Sequence, residues 1–138
     1  MDILTKKGQK SLEYEREMLD RIRHSICEKH KSNSTLVETK KDTDAKVDGI
    51  IIKNNELSGI FESKCRDLSL MELRNFGSWL ITFDKIMDGK RLSEMLRVPY
   101  LGFLYLIKDQ VVMYWKITDS YGNFLFDFDV RNTTTQKT

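Results

Sequence analysis

The chain has 138 residues, of which 32% are charged and 40% hydrophobic. This length fits one domain with a single core, and the composition excludes a disordered or membrane-embedded chain. Lys and Arg number 23 against 21 Asp and Glu, so the net charge is only +2. That balance excludes a polycation that binds nucleic acid along its whole surface, but it permits a basic face beside an acidic pocket. We expect one domain over residues 1–131 and a polar tail over residues 132–138.

Features that would direct the chain to a membrane or out of the cell are missing from the sequence. The segment from Met1 to Lys7 has no apolar stretch typical of a signal peptide, and no apolar run approaches the ~18 residues that span a membrane. Cys27 and Cys65 stand at no spacing typical of a zinc site. The sequence therefore predicts a cytoplasmic protein with reduced thiols and no membrane partner.

The first predicted element is an amphipathic helix over residues 9–31, with basic residues at its end, where cations stabilise a helix. Glu15 lies near the centre of its apolar stripe, whereas Glu13 and Glu17 lie towards the polar side. Glu15 is therefore predicted to point at the sheet, where a carboxylate needs a cation. The apolar stripe consists of Leu12, Met18, Leu19, Ile22 and Ile26.

Three strands and a second helix are predicted next. The strands cover residues 35–39, 46–53 and 59–66, with a hairpin turn at Asn54-Asn55-Glu56. Ser69 and Glu72 match a capping box, which predicts that the second helix begins near Ser69. Its apolar face consists of Leu70, Leu73, Phe76, Leu80 and then Phe83 or Met87, and Gly89 is predicted to end it.

The last third of the sequence is predicted to be mainly strands. A short helix over Leu92–Leu96 stops before Pro99. The strands that follow are Tyr100–Ile107, Val111–Ile117 and Phe124–Val130, with a hairpin loop between the first two. The order of helix, three strands, helix and further strands predicts an α/β or α+β domain with a mixed sheet.

Charged residues inside two apolar strands are the candidate site. Glu62 and Lys64 are two residues apart, so they share one face of their strand. Asp48 lies in the preceding strand, just before Gly49, and a hairpin would bring it to the same end of the sheet as Glu62. Charges inside apolar strands are costly unless they are paired or bound to metal. The pattern therefore predicts that these residues surround a cation.

This arrangement, with Asp48-Gly49, a hairpin and Phe61-Glu62-Ser63-Lys64, resembles the PD-(D/E)xK nuclease superfamily. The resemblance implies a restriction-endonuclease-like αβββαβ core, in which helices flank a mixed central sheet. The helix around Glu15 is similar to the first helix of archaeal Holliday-junction resolvases, in which a glutamate contributes to the metal site. The likeness covers roughly residues 8–88, and Val47 stands where the family motif has proline.

The resemblance also implies a role for each of these residues. Asp48 and Glu62 would bind Mg²⁺, for which Mn²⁺ can substitute, together with the backbone carbonyl of Ser63. Glu15 would be a further acidic ligand, directly or through water, and Lys64 would orient or deprotonate the attacking water. The implied activity is that of a Mg²⁺-dependent endonuclease that hydrolyses phosphodiester bonds in duplex or branched DNA.

Phosphate contacts are predicted for Lys6, Lys7, Lys10 and Arg66. One site of this size cuts one strand, so we expect a homodimer or higher homo-oligomer, and the small size favours a nuclease of a phage or mobile element. Three simpler interpretations stay open: a solvated Glu62–Lys64 ion pair, Asp48 as a turn residue and Glu15 at the rim of its helix face. A non-catalytic nucleic-acid-binding module and a nuclease acting on RNA are the alternative functions.

Overall fold

A five-stranded sheet with the spatial order β1-β2-β3-β4-β5 forms the centre of the protein. The computed structural model describes residues 6–25, 34–39, 46–77 and 81–127, without the side chains of residues 6–9 and 11. The elements, in chain order, are α1 (Lys6–Arg23), β1 (Ser34–Glu38), β2 (Gly49–Lys53), β3 (Glu56–Arg66), α2 (Leu70–Phe76), α3 (Phe83–Leu96), β4 (Tyr100–Leu106) and β5 (Val111–Thr118).

The sheet is mixed, as predicted. β1, β2 and β3 form an antiparallel meander, β3 and β4 run parallel, and β5 returns antiparallel to β4. Two parallel neighbours need a long crossover connection, and α2 and α3 lie within it. The fold is therefore mixed α/β, with three helices in the described part of the chain.

The two faces of the sheet carry separate apolar cores. Neighbouring residues of a strand face opposite sides, so Phe61 and Ile60 of β3 belong to different cores. Phe61 packs in a cluster with Met18 and Leu19 of α1. Ile60 packs in a second cluster with Ile86 of α3. Helix α1 therefore covers one face of the sheet and α3 the other, and Glu62, which alternates with Phe61, faces the α3 side.

The hairpin between β2 and β3 follows from its two asparagines. Asn54 and Asn55 adopt left-handed conformations, with φ of 52° and 64°. Asparagine tolerates this conformation, and two such residues in a row are typical of the type I′ turn that suits a two-residue hairpin. The predicted strands and hairpin are confirmed, although β2 begins later and β3 earlier than predicted.

The second helix begins as predicted but is interrupted. The capping box is confirmed: the hydroxyl of Ser69 accepts a hydrogen bond of 3.1 Å from the amide of Glu72, and the carboxylate of Glu72 accepts one of 3.2 Å from the amide of Ser69. Gly77 then ends α2 in a left-handed conformation with φ of 75°. The predicted continuous apolar face is wrong, because Phe76 and Phe83 are 68% and 49% exposed. Leu80 lies outside the described residues.

Gly89 was predicted to end a helix, and this prediction is wrong. Gly89 is buried inside α3, where an added Cβ would lie 2.2 Å from a ring carbon of Tyr100. The glycine therefore allows the helix to approach the sheet closely. Helix α3 continues to Leu96, so the predicted short helix at its end is its last part, and Arg97 caps it in a left-handed conformation.

The ends of the described chain agree only partly with the predictions. The α-helical residues of α1 end at Arg23, and residues 26–31 of the predicted first helix lie outside the described residues. Strands β4 and β5 are confirmed. The predicted strand Phe124–Val130 is wrong over its described part, where Phe124 forms only an isolated bridge with Thr118, while residues 128–130 and the predicted tail lie outside it. No helix in the described ranges is long and apolar enough to cross a membrane.

Candidate active site

Asp48 is held against β3 by hydrogen bonds from both its backbone and its side chain. Its backbone amide donates to the carbonyl of Phe61 at 2.9 Å. Its Oδ2 accepts a hydrogen bond of 2.8 Å from the backbone amide of Ser63. In an extended strand the N–H and C=O of one residue point towards the same neighbour, so the Ser63 carbonyl is directed to the β2 side as well. Asp48 therefore lies in a bend just before β2, and not within the strand as predicted, but these two hydrogen bonds fix it beside Glu62.

Thr39, at the end of β1, holds the backbone of Asp48 from the other side. Its amide donates a hydrogen bond of 2.9 Å to the carbonyl of Asp48. Its hydroxyl lies 2.8 Å from the carbonyl of Val47 and 3.0 Å from that of Asp48. This role could not be predicted from the sequence, because nothing local distinguishes Thr39 from other threonines at strand ends.

The glycine that follows Asp48 is required by close packing. A Cβ on Gly49 would lie 2.3 Å from a ring carbon of Phe61 and 2.7 Å from the carbonyl oxygen of Val37. Real carbon atoms do not approach this closely, so only glycine fits between the two neighbouring strands here. The pair Asp48-Gly49 thus places the carboxylate at the point where β2 begins to pack under the Phe61 ring.

Glu62 is a buried acid that shares one cation with Asp48. Its side chain is only 1% exposed, on the face of β3 that packs against α3. The ammonium nitrogen of Lys85, on α3, lies 3.2 Å from Oε1 of Glu62 and 3.8 Å from Oδ1 of Asp48. The other oxygen, Oε2 of Glu62, is buried without a hydrogen-bond partner among the described residues. One ammonium therefore contacts both acids, so they lie close together on the same side of the sheet.

Burial and the neighbouring acid disturb the ionisation of Glu62. Burial is the largest cause that raises its pKa, and the negative charge of Asp48 is the next. The ammonium groups of Lys85 and Lys64 act in the opposite direction, and the net result is a pKa of about 7. A strongly raised carboxyl pKa beside a second acid is a common property of functional sites.

The two lysines of the site differ in their ionisation. Burial lowers the pKa of Lys64, and the positive charge of Lys85 lowers it further. Burial also acts to lower the pKa of Lys85, but the charges of Asp48 and Glu62 outweigh it, so the pKa of Lys85 is raised. Lys85 is thus the permanent cation of the site, and Lys64 is the one whose proton is more easily lost.

Glu15 is not brought into one group with the other two acids. No cluster of three or more His, Cys, Asp or Glu side chains that could hold a metal occurs in the described part of the chain. The charge of Glu15 contributes to the raised pKa of Lys85, so the two residues interact electrostatically. Glu17, expected on the polar side of α1, instead accepts a 2.6 Å hydrogen bond from the hydroxyl of the buried Tyr105.

Of the predicted phosphate-binding residues, the two with described side chains, Arg66 and Lys10, lie on opposite faces of the sheet. Arg66 follows Lys64 on the same face of β3 and donates a hydrogen bond of 3.0 Å to the carbonyl of Cys65. Lys10 lies on α1, which covers the other face, with its ammonium 5.9 Å from the ring centroid of Tyr14. The side chains of Lys6 and Lys7 lie outside the described residues.

Lys85 is the functional candidate that the sequence reading missed. It lies 23 residues from Glu62 in the chain, so no local motif joins them. A signal was nevertheless present, because Lys85 precedes Gly89 by four residues and Ser93 by eight, and both of these are buried. A lysine on a helix stripe that faces the sheet needs an anionic partner.

The two carboxylates fit a divalent cation. Mg²⁺ is bound in many proteins by one or two carboxylates and keeps several waters, so a third acid is not required. The position between Asp48 and Glu62 already receives a positive charge, that of Lys85. Oε2 of Glu62, which has no hydrogen-bond partner in the described part of the chain, is a further oxygen that could bind such a cation. The observed pairing also excludes a solvated Glu62–Lys64 ion pair, since Glu62 is buried and bonds to Lys85.

No family model, curated protein or solved structure matches the chain.

Proposed function

We propose that the protein is a metal-dependent phosphodiesterase in which Asp48 and Glu62 hold a divalent cation. The observation that carries the proposal is the convergence of these two carboxylates on one ammonium, at 3.8 and 3.2 Å, with one buried oxygen of Glu62 that has no hydrogen-bond partner among the described residues. Such a site is costly to the fold, because it brings two negative charges together inside the protein. The presence of two carboxylates so close together is explained if they bind a cation.

Within this class, we propose a PD-(D/E)xK endonuclease that hydrolyses phosphodiester bonds in DNA. Support comes from the order of the elements, with a helix, a three-stranded meander, a helical crossover and a parallel strand, which matches the αβββαβ order. Support also comes from β3, which presents Glu62 and Lys64 on one face next to Asp48. Mg²⁺ is the expected metal, with Mn²⁺ as a substitute.

The residues of the site take distinct roles in this proposal. The metal supplies positive charge at the scissile phosphate and acidifies the attacking water. Lys64 orients that water or helps to deprotonate it, and burial and the charge of Lys85 lower the pKa of Lys64, which favours the second role. Arg66 follows on the same face of β3, where it would contact a phosphate of the substrate, and a homo-oligomer would bring a second site to the other strand.

One observation favours a second candidate function. Lys85 already compensates the two acids, so the site is partly satisfied without metal. A non-catalytic nucleic-acid-binding module would retain Asp48, Glu62 and Lys85 as a structural ion-pair network. The buried Oε2 of Glu62 favours the enzyme, because it has no hydrogen-bond partner among the described residues and a purely structural ion-pair network is expected to satisfy its buried polar atoms.

A nuclease assay separates these functions. The protein is incubated with supercoiled plasmid, branched DNA and RNA in Mg²⁺, Mn²⁺ or EDTA, and compared with Lys64→Met and Asp48→Asn. We expect metal-dependent DNA cleavage that falls by about 100-fold or more in both variants, since Lys64→Met removes a group whose general acid–base catalysis contributes about that factor and Asp48→Asn removes a metal ligand. Lys53→Met is the matched control, because Lys53 is an exposed lysine at the end of β2.

Three results would speak against the proposal. Cleavage at the wild-type rate in both variants, with folding confirmed by circular dichroism, would assign the activity to a contaminant. Binding of DNA without cleavage in any metal would favour the non-catalytic module. Cleavage of RNA alone would keep the phosphodiesterase and change the substrate.

A further inference from the structure

The position of the Lys85 ammonium is fixed by the packing of α3 on the sheet. Lys85 lies in the first turn of α3, and its backbone carbonyl accepts a 3.4 Å hydrogen bond from the hydroxyl of Tyr100. One turn further on, Gly89 lies directly on the ring of the same Tyr100. The fully buried Tyr100 therefore determines how closely α3 approaches β4 and how the helix is positioned along its axis. The lysine is directed at the acids by the fold and not by chance.

The Lys85 side chain contacts the two acids but is also partly exposed to solvent. Its contacts with Glu62 and Asp48 are made inside the site, yet 41% of the Lys85 side chain remains exposed. A long aliphatic side chain of this kind can keep its stem packed while the charged end moves towards water. Glu62, by contrast, is buried in a strand that has neighbours on both sides and cannot move away.

A divalent cation and this ammonium cannot hold the same two carboxylates together. Both would lie within a few ångströms of the Asp48 and Glu62 oxygens, and two positive charges at that separation repel each other strongly where water is excluded. The carboxylates supply two negative charges, which one divalent cation neutralises by itself. The lysine then has no remaining partner among these acids.

We propose that Lys85 is a built-in counter-ion that competes with the divalent cation for Asp48 and Glu62 and swings towards solvent when the cation binds. This inference rests on the proposed function. It adds an explanation of how the carboxylates of Asp48 and Glu62 are held together before a metal ion binds. Lys85 is a positioning residue: it holds the two acids at their working separation in the metal-free protein, and it weakens metal binding in return.

Titration calorimetry with Mn²⁺ tests the competition directly. The affinities of the wild type, Lys85→Met, Lys85→Gln and Lys85→Arg are measured, with Lys90→Met as the control. Lys90 lies on the same helix but pairs with Glu94, away from the two acids. We expect Mn²⁺ to bind about tenfold more tightly in the Met and Gln variants, a typical size for coupling between two sites. Lys85→Arg and Lys90→Met should bind as the wild type does.

Thermal unfolding provides a second readout. Without metal, Lys85→Met should unfold at a lower temperature than the wild type, because two acids are left without their counter-ion. Saturating Mn²⁺ should raise its midpoint by more than it raises that of the wild type, since tighter binding to the folded state gives a larger shift. Lys85→Gln, which can still donate a hydrogen bond to Glu62, serves if the Met variant does not fold.

The outcomes separate the inference from the function on which it rests. Equal or weaker Mn²⁺ binding by the folded Met and Gln variants, with binding intact in the wild type, would overturn the competition and leave the proposed function standing. Mn²⁺ binding by the Met and Gln variants but not by the wild type would be the strongest support for competition between Lys85 and the cation. Absence of Mn²⁺ binding in every protein would overturn the proposed function and the inference together.

Discussion

The carboxylate of Asp48 accepts a 2.8 Å hydrogen bond from the backbone amide of Ser63. Ser63 stands between Glu62 and Lys64 in β3, so this one bond sets the position of the first acid relative to both other members of the site. The side chains of Glu62 and Lys64 then project to the face covered by α3, where Lys85 completes the charge balance. The geometry of the site is therefore a property of strand register, which small changes at its surface should not disturb.

Replacement of Asp48 should separate its structural role from its chemical one. Asp48→Asn keeps an oxygen that can accept from Ser63, so its free energy of unfolding in urea should stay close to that of the wild type while Mn²⁺ binding is lost. Asp48→Ala leaves the amide of the buried Ser63 without its acceptor and should be destabilised by about 1–3 kcal/mol. Equal stability of the Asn and Ala variants would show that the hydrogen bond has no structural importance.

Glu62 should make the metal-free protein less stable as the pH rises. Its pKa is about 7 in the folded protein against 4.5 ordinarily, so between these values the folded state binds more protons than the unfolded state. Stability then falls with rising pH across this window, by an amount on the order of 3 kcal/mol for this group. Below about pH 4.5 the acid is protonated in both states and contributes no slope.

Urea unfolding between pH 5 and pH 8 measures this effect. The side chain of Glu62→Gln cannot ionise, so the free energy of unfolding of this variant should fall much less between pH 5 and pH 8. The variant should therefore be more stable than the wild type at pH 8. Glu56→Gln, at the exposed start of the same strand, should follow the wild-type profile. A Glu62→Gln profile parallel to that of the wild type would mean that Glu62 titrates normally.

Thr39 should be needed for an ordered metal site although it cannot touch the metal's ligand oxygens. Thr39→Val keeps the shape of the side chain but removes the hydroxyl that donates to the carbonyls of Val47 and Asp48. We expect a loss of about 1–2 kcal/mol in stability and weaker Mn²⁺ binding. Thr35→Val, exposed on β1, is the control. Unchanged Mn²⁺ affinity in Thr39→Val would remove Thr39 from the site.

Gly49→Ala should introduce a steric clash into the sheet at the position next to Asp48. The added Cβ would overlap the ring of Phe61 and the carbonyl of Val37, and overpacking of this kind costs about 1–3 kcal/mol. Gly59→Ala, on the neighbouring strand, meets its nearest atoms at 3.5 Å and should be tolerated. Chemical denaturation of the two variants checks the prediction, and equal midpoints would contradict it.

Local signals in the sequence were sufficient for much of the fold. The asparagine pair at the β2–β3 hairpin and the Ser69–Glu72 capping box act over two to four residues, so their chemistry determines the structure without help from the rest of the chain. The spacing of Asp48, Glu62 and Lys64 indicated the site because strand alternation alone decides which side chains share a face.

Several features that could not be predicted from the sequence depend on contacts between residues that are far apart in the chain. Gly89 was taken as a helix end because glycine disfavours helices, but its place is decided by the ring of Tyr100 on another element. Lys85 could not be predicted for the same reason, since its partners, Glu62 in β3 and Asp48 just before β2, are far away in the chain. The hydrogen bond between Glu17 and Tyr105 likewise joins residues that no periodicity connects.

Electron paramagnetic resonance of Mn²⁺ shows whether Asp48 and Glu62 form a binding site for a divalent cation, because the signal of free Mn²⁺ disappears on binding. We predict saturable binding by the wild type and by Glu56→Gln, and its loss in Glu62→Gln. Failure of the wild type to take up Mn²⁺ in a saturable manner, or undiminished uptake by Glu62→Gln, would contradict the account.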